Sequence, residues 1–380
     1  MSRDCIFIFT FYNTKVAAMN STSFFVTRFE NLPYDVYVYV WEKWTRICGE
    51  TSRKVNRLFC SLHDSATHHL RIDAASRSAP TLNEVTRYLS KLPNLNSIHL
   101  LNSINIEMGS LLVERAGLTR LVVEYQCAGR DRGPLAPQAL ASCVDLRCLA
   151  LKRLPLAALD SLTVLSSLSH VTLYLMELIN DIGPLSACKK LVSLSIMMCP
   201  GITDFEPLRA MTGLTSFGLV CNPVIVSPLE ALANHPSLSA ATLVALNGPV
   251  DYSLIATCSQ LKTLKLDSRG RPLNIGWIGQ LTALTSLDLR GCGVDIGSFE
   301  ALTPCSNLRR LDVRECLLSP ERFTCLDACT QLSTLFCDVD IVVRGIQSFR
   351  GYVDVEQGYH SFLVADRMFW KNLEDGKNCE

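Results

Sequence analysis

Apolar residues along most of this chain fall in short alternating bursts, and the bursts repeat. Each has the order Leu-x-x-Leu-x-Leu, as in Leu95-x-x-Ile98-x-Leu100, Leu191-x-x-Leu194-x-Ile196 and Leu284-x-x-Leu287-x-Leu289. The starts are Leu95, Leu118, Leu146, Leu168, Leu191, Leu214, Leu238, Leu261, Leu284, Leu308 and Leu332, in steps of 22 to 28 residues, mostly 23 or 24. Alternation with period two predicts a short strand, its leucines on one face and the intervening residues on the other. A fixed period of this length predicts a solenoid, in which each turn buries its apolar face against its neighbours. Eleven parallel strands about 4.8 Å apart make a curved sheet roughly 50 Å long. The return paths are brief. Runs such as Asp204-Phe205-Glu206-Pro207-Leu208 and Gly297 to Leu302 leave room for only a turn or two of helix on the convex side.

Outside the period, residues 1–30 read as a flexible leader. Residues 31–63 form a small helical module, with Val36, Val40 and Trp44 four apart and Val55, Phe59 and Leu62 on one helical face. His69-Leu70-Arg71-Ile72 reads as a degenerate first strand, and 81–92 as a helix ending at Pro93. The solenoid is expected over 64–344, with a surface loop at Gly129 to Pro134. Residues 345–380 lose the period and hold Phe349, Tyr352, Tyr359, Phe362, Phe369 and Trp370, an aromatic cap over the last turn.

Composition adjusts this picture little. Hydrophobic residues are 48% of the chain, as a continuous leucine core requires, and no stretch approaches the ~18 apolar residues of a membrane span. Lys+Arg and Asp+Glu both number 36, so no net charge invites nucleic acid or anionic lipid. The partner classes expected are therefore proteins, with no nucleic acid and no membrane. The N-terminal Cys5 to Phe11 run is short, and Asn13 and Lys15 follow it closely, so a leader with Met19 as an alternative start fits better than a signal peptide. Of 17 cysteines, eight keep the repeat phase: Cys143, Cys188, Cys258, Cys305 and Cys329 before a leucine start, Cys199, Cys292 and Cys316 after one. They read as small buried thiols, which points to the cytoplasm or nucleus. No phosphate-binding loop, metalloprotease motif, nucleophile elbow or Cys-x-x-Cys pair is present. His68-His69 has no ligand partner at useful spacing. No catalytic residue, cofactor or metal is expected.

Cys188-x-x-Leu191-x-x-Leu194-x-Ile196-x-x-Cys199-x-x-Ile202-Thr203-Asp204 closely resembles the cysteine-containing class of leucine-rich repeats. That resemblance covers about two thirds of the chain and implies the fold class: α/β, a leucine-rich repeat solenoid with a small N-terminal helical module. The class is common in F-box proteins. Leu32-Pro33-x-Asp35-Val36-x-x-x-Val40-Trp41 resembles the opening of an F-box, and Val55-x-x-x-Phe59 stands where its last helix should lie. Gly49, Glu50 and Thr51 depart from the motif, occupying positions where apolar residues are expected. The resemblance implies a ubiquitin ligase adaptor docked on Leu32, Pro33, Asp35, Val36, Val40, Trp41, Val55 and Phe59. The same segment reads equally as a helical cap sealing the first repeat.

The period also selects a concave face. Its middle carries Tyr174, Leu175, Met197, Met198, Val220 and Val244, an apolar strip expected to be exposed and to hold a protein target. Its later part carries Arg290, Arg310 and Arg314 among Lys265, Asp267, Asp288, Asp312 and Glu315. These charges also suit cross-strand pairs, Lys265 with Asp288 and Asp267 with Arg290. Three functions fit: the substrate-recognition subunit of an SCF-type ligase, a stand-alone scaffold or regulator, and a secreted or surface recognition protein.

The adaptor reading has a direct test. Pro at a helix start loses no needed donor, so Leu32-Pro33 would serve as an anchor. Alanine at both positions is expected to abolish adaptor co-purification and leave the circular dichroism of the repeats unchanged. Undiminished co-purification would reject the F-box assignment.

Overall fold

Every Leu-x-x-Leu-x-Leu run ends in a short strand, and the reason is visible in the burial of its residues. The computed structural model describes residues 68–73, 89, 92, 94–101, 117–124, 140–154, 156–220, 228–246, 250–268, 270–294, 296–316, 318, 320–337 and 352–354. Two compact units make up the chain, one of residues 1–71 and 80–97 and one of 72–79 and 98–380. In the first, the backbone amides of Asn96 and Ser97 donate to the His68 carbonyl. Here too His68 Nδ1 lies 3.0 Å from the Asn94 carbonyl and His69 Nδ1 2.8 Å from Ser97 Oγ. The histidine pair is thus held by local polar partners, and among the described residues no group of three or more His, Cys, Asp or Glu could hold a metal.

The strands are β1 (His69–Asp73), β2 (Ser97–Leu101), β3 (Arg120–Glu124), β4 (Cys148–Lys152), β5 (His170–Tyr174), β6 (Ser193–Met197), β7 (Ser216–Val220), β8 (Ala240–Val244), β9 (Thr263–Asp267), β10 (Pro272–Leu273), β11 (Ser286–Asp288), β12 (Gly293–Val294), β13 (Arg310–Asp312), β14 (Thr334–Phe336) and β15 (Tyr352–Asp354). In the second unit the strands of the long sheet follow sequence order, with β10 and β12 paired separately. All registers from β3 to β9 and on through β11, β13, β14 and β15 are parallel. Leu121, Leu149, Val171, Leu194, Phe217, Ala241, Leu264, Leu287, Leu311 and Leu335 stand opposite one another in that register, and all are buried. This is the core face of a leucine-rich repeat solenoid.

The return paths are the expected turn or two of helix, and most of those described take the 3-10 form. One short α-helix, α1 (Pro228–Leu232), is described; the other helical returns are 3-10, at Asp160–Val164, Gly183–Ala187, Glu206–Ala210, Tyr252–Thr257, Gly276–Gln280, Ile296–Leu302 and Pro320–Ala328. The cause is a third periodicity. Leu159, Leu162, Leu165 and Leu168 are spaced by three, as are Ile182, Leu185, Cys188 and Leu191, and Ile275, Ile278, Leu281 and Leu284. All twelve are buried, and each amide after the first donates to the carbonyl three residues back. A 3-10 path places residues three apart on one side, which suits a buried stripe one residue wide. Asx turns lead into several of them: Asp181, Asp204, Asp251 and Asn274 accept from the amides of Gly183, Glu206, Ser253 and Gly276 at 2.6, 2.9, 3.0 and 2.8 Å, and Asp251 is the N-cap of its segment.

The eight repeat-phased cysteines are buried thiols. Each of seven donates to a carbonyl of the preceding turn: Cys188 to Leu162, Cys258 to Leu232, Cys305 to Ile278, Cys329 to Leu302, Cys199 to Leu173, Cys292 to Leu266 and Cys316 to Leu289, at 2.9–3.6 Å. Burial pushes the thiols of Cys199, Cys292 and Cys305 up to about 11.

The expected first strand is present as β1. Within the expected tail, Tyr352 begins β15, whose Val353 pairs with Leu335. The 31–63 module, with Leu32, Pro33, Asp35, Val36, Val40, Trp41, Val55 and Phe59, lies outside the described residues. So do the leader and most of the expected 81–92 helix.

Removing sulfur from these sites tests the inter-turn bonds. Cys199→Ala and Cys292→Ala each delete a fully buried atom and a donor, and are expected to cost about 1–3 kcal/mol. The readout is a lowered urea midpoint at unchanged slope. Native-state alkylation at pH 9 should also leave both wild-type thiols unreacted, because little thiolate forms at a pKa near 11.

Candidate recognition face

Opposite the core, each strand presents three positions, and parallel register sets them in rows. The first row runs Arg120, Cys148, His170, Ser193, Ser216, Ala240 and Thr263. The second runs Val122, Ala150, Thr172, Ser195, Gly218, Thr242 and Lys265. The third runs Glu124, Lys152, Tyr174, Met197, Val220, Val244 and Asp267. Side chains in one row belong to strands about 4.8 Å apart and lie flank to flank.

The structure brings the expected apolar strip together but does not leave it open. Tyr174, Met197, Val220 and Val244 are contiguous and only 5%, 8%, 8% and 6% exposed. They cover one another, and Leu175 and Met198 pack against their edge. Accessible apolar surface is therefore displaced to Leu175 and Met198, both half-buried. These two follow the strand ends directly and have φ of 52° each; Arg153, Ala245, Gly291 and Glu315 hold the same place in their turns with φ of 55°, 54°, 70° and 62°. At each of Arg153, Leu175, Met198, Ala245 and Gly291 the amide donates to the carbonyl that ends the neighbouring strand's row, at 2.8–3.0 Å. The left-handed turn is thus a product of the stack, and only Gly291 adopts it without a Cβ penalty.

Charge brackets the strip at both ends. Near β3, Glu124 Oε1 meets Lys152 Nζ at 2.9 Å, its Oε2 lies 3.6 Å from His99 Nε2, and Lys152 Nζ sits 5.1 Å from the Tyr174 ring centre. The 3.6 Å approach exceeds hydrogen-bond reach, so that contact is electrostatic. Burial raises the Glu124 carboxyl, but the adjoining His99 and Lys152 outweigh it and hold the group at about 2. At the other end Lys265 pairs with Asp288 at 2.7 Å, as the register predicts. Arg290 binds Glu315 at 2.7 Å, and Arg314, in the turn after β13, folds back onto Asp312 at 2.6 Å. Arg310 and Arg314 lie 4.2 and 4.9 Å from the Phe336 ring centre, which their sequence positions did not foretell. Much of the charge at this end is thus engaged within the chain. A separate cleft of about 740 Å³, lined by Asp251, Tyr252, Arg271, Asn274 and Trp277 among others, is likewise absent from the leucine pattern.

No protein-family model matches this chain. In sequence it is similar, at 28% identity over 144 residues, to a Trypanosoma equiperdum protein named "Putative adenylate cyclase regulatory protein". The match covers 37% of this chain and 23% of that protein, so the chain spans under a quarter of that relative's length. Among solved structures it is similar to an internalin (inlF) from Listeria monocytogenes. Identity is 21%, the TM-score 0.51, and 65% of this chain and 69% of that one are covered. The TLR13–ssRNA13 complex matches at 18% identity and TM-score 0.47 over 79% of this chain and 38% of that one. The internalin likeness shows the fold, a leucine-rich repeat solenoid.

The Glu124 cluster predicts a pH signature. Its carboxyl sits below the ordinary 4.5, so its contribution is complete above that value and is lost as pH falls toward 2. Glu124→Gln is expected to destabilise by about 1–3 kcal/mol at pH 7. In urea titrations the gap to wild type should close between pH 4.5 and 2; a constant gap would mean that charge at this position contributes nothing.

Proposed function

We propose that this protein is a non-enzymatic recognition module that holds a protein partner on the sheet face opposite its core. The observation that carries the reading is the pair Leu175 and Met198. Both stand half-exposed at the edge of a sealed apolar spine, in a backbone conformation that disfavours large side chains by roughly 1–2 kcal/mol each. Gly291 occupies the same place in another turn, so glycine fits there. Large apolar groups kept where glycine would be easier suggest a surface that serves contact, and strained residues gather at such sites. Met adds adaptable packing. The regulatory name of the trypanosome relative agrees with a scaffold or regulator role.

A finer reading makes the chain the target-binding subunit of an SCF-type ligase, in the cytoplasm or nucleus. What supports it is the Leu32-Pro33-x-Asp35-Val36 run directly before the repeats. In that arrangement residues 31–63 engage the adaptor while the sheet face captures the target, and no chemistry occurs on this chain.

The partner should respond to the edge residues more than to the arginines. In affinity purification with mass spectrometry, Leu175→Ser with Met198→Ser is expected to lose the wild-type set of co-purifying proteins. Arg290→Ala with Arg314→Ala should largely retain it, because both arginines are engaged within the chain. The opposite result would move the contact to the charged end.

A further inference from the structure

The cleft of about 740 Å³ lies where two successive return paths depart from the repeat. Nine residues before a first leucine, other turns place a buried apolar side chain: Leu159, Ile182, Phe205, Ile275, Phe299 and Phe323. The return leading into Leu261 has Tyr252 there. This tyrosine is half-buried and lines the cleft, and its hydroxyl makes no hydrogen bond among the described residues. Burial first, then Cys292 and Asp267, push that hydroxyl up to about 12, so it stays protonated and keeps a hydrogen to donate. Seven residues before a first leucine the side chain is mostly small, as at Ser161, Pro184, Ala231 and Ala301. The return leading into Leu284 has Trp277 there, also half-buried and also lining the cleft.

These walls are set before any ligand arrives. Trp277 Nε1 donates to the Asn274 carbonyl at 2.9 Å, and Asn274 Oδ1 accepts from the Gly276 amide that opens the same 3-10 segment. Tyr252 opens the segment that Asp251 caps through the Ser253 amide. The loop bearing Arg271 is packed on the turn beyond it. There β10 pairs with β12, the Gly270 amide donates to the Gly291 carbonyl at 2.8 Å, and a Cβ at Gly293 would come within 2.6 Å of the Gly270 oxygen. Charge in the lining is balanced. Among the described residues Arg271 is its one cation and Asp251 its one carboxylate, both exposed, and they form no ion pair with each other. An anionic ligand meets Asp251 and a cationic one meets Arg271. A neutral ligand that both donates and accepts avoids each conflict. Arg271 and Tyr252 supply donors, Asp251 Oδ2 an acceptor, and the Asn274 amide a further donor. The volume falls within the range of about 300–1,000 Å³ typical of small-molecule sites.

We propose that this cleft binds a neutral pyranose, free or at the end of a glycan, with an apolar face of the sugar ring laid on Trp277 and its hydroxyls shared among Tyr252, Asp251, Arg271 and Asn274. A pyranose joins an apolar C–H face to a rim of hydroxyls, each both donor and acceptor. That is the combination an indole beside mixed polar groups offers. The cleft contains neither Leu175 nor Met198, so the proposal goes beyond the protein-recognition reading and neither needs the other.

The test is isothermal titration calorimetry of the full chain with the methyl glycosides of glucose, galactose, mannose and N-acetylglucosamine, repeated with oligosaccharides ending in the same sugars. At least one glycoside is expected to bind saturably below about 10 mM, the weak end of specific association. Tyr252→Phe should weaken that binding about fivefold, the loss of one neutral hydrogen bond. Its thermal midpoint should hold or rise, because Phe205 and Phe299 fill the same place in other turns. Asp251→Asn keeps the cap acceptor and should also weaken binding about fivefold, and Trp277→Ala by about tenfold or more. Glucuronate and glucosamine should bind no more tightly than glucose. No saturable binding by any neutral glycoside overturns the proposal, as does binding that Tyr252→Phe and Trp277→Ala both leave intact. Binding of glucuronate or inorganic phosphate about tenfold tighter than glucose overturns it in favour of an anion site. Tighter binding of the oligosaccharides assigns a glycan end as the ligand and equal binding a free sugar; either supports the proposal. If Trp277→Ala fails to fold, Tyr252→Phe decides alone.

Discussion

No turn of this chain can satisfy itself, and the rest of the structure follows from that. Each contributes a strand whose leucines cover one flank of a core and whose amides and carbonyls need the next strand. The dependence extends to side chains. Ser169, Thr215, Ser239, Thr285 and Ser333, each just after a first leucine, donate to carbonyls of the preceding turn at 3.0–3.1 Å. The phased thiols do the same deeper inside. Hydroxyls hold one side of the stack and thiols the interior, so several turns are bound to their predecessors by side chains as well as backbone.

The proposed recognition face is a by-product of the same stacking. Register fixes the rows, rows bring like positions into contact, and contact seals Tyr174, Met197, Val220 and Val244. A face assembled this way is rigid before a partner arrives. Little side-chain freedom remains to be lost at its centre, which lowers the ordering cost of association. In the proposed reading specificity falls to the edges, where Leu175, Met198 and the charged groups retain some exposure.

The leucine period alone was enough to predict the parallel sheet, its strand positions and the side of each strand that faces inward. Leu194 and Ile196 are buried as alternation requires. The 3-10 returns were also written there, in the spacing by three of Ile182, Leu185, Cys188 and Leu191, but a helix period of 3.6 does not find them. Exposure was misjudged at Tyr174 and Met197, because a pattern along one chain segment carries no information on flanking strands. Lys265 with Asp288 was legible from register. Arg314 on Asp312 was not, since Arg314 lies in the turn after β13 and the pair depends on how that turn bends back. Arg120 Nη2, shielded from solvent and without a hydrogen-bond partner among the described residues, gave no signal at all: an unsatisfied nitrogen is a property of what surrounds it.

The buried thiols have one more consequence, and it concerns oxidation. At a pKa of about 11, Cys199 and Cys292 hold roughly one thiolate in ten thousand at pH 7. Thiolate is the species that oxidants and disulfides attack. The chain's high cysteine content therefore makes it no redox sensor at these positions. It makes an interior in which these two thiols stay protonated at neutral pH and are therefore slow to react with oxidants or disulfides.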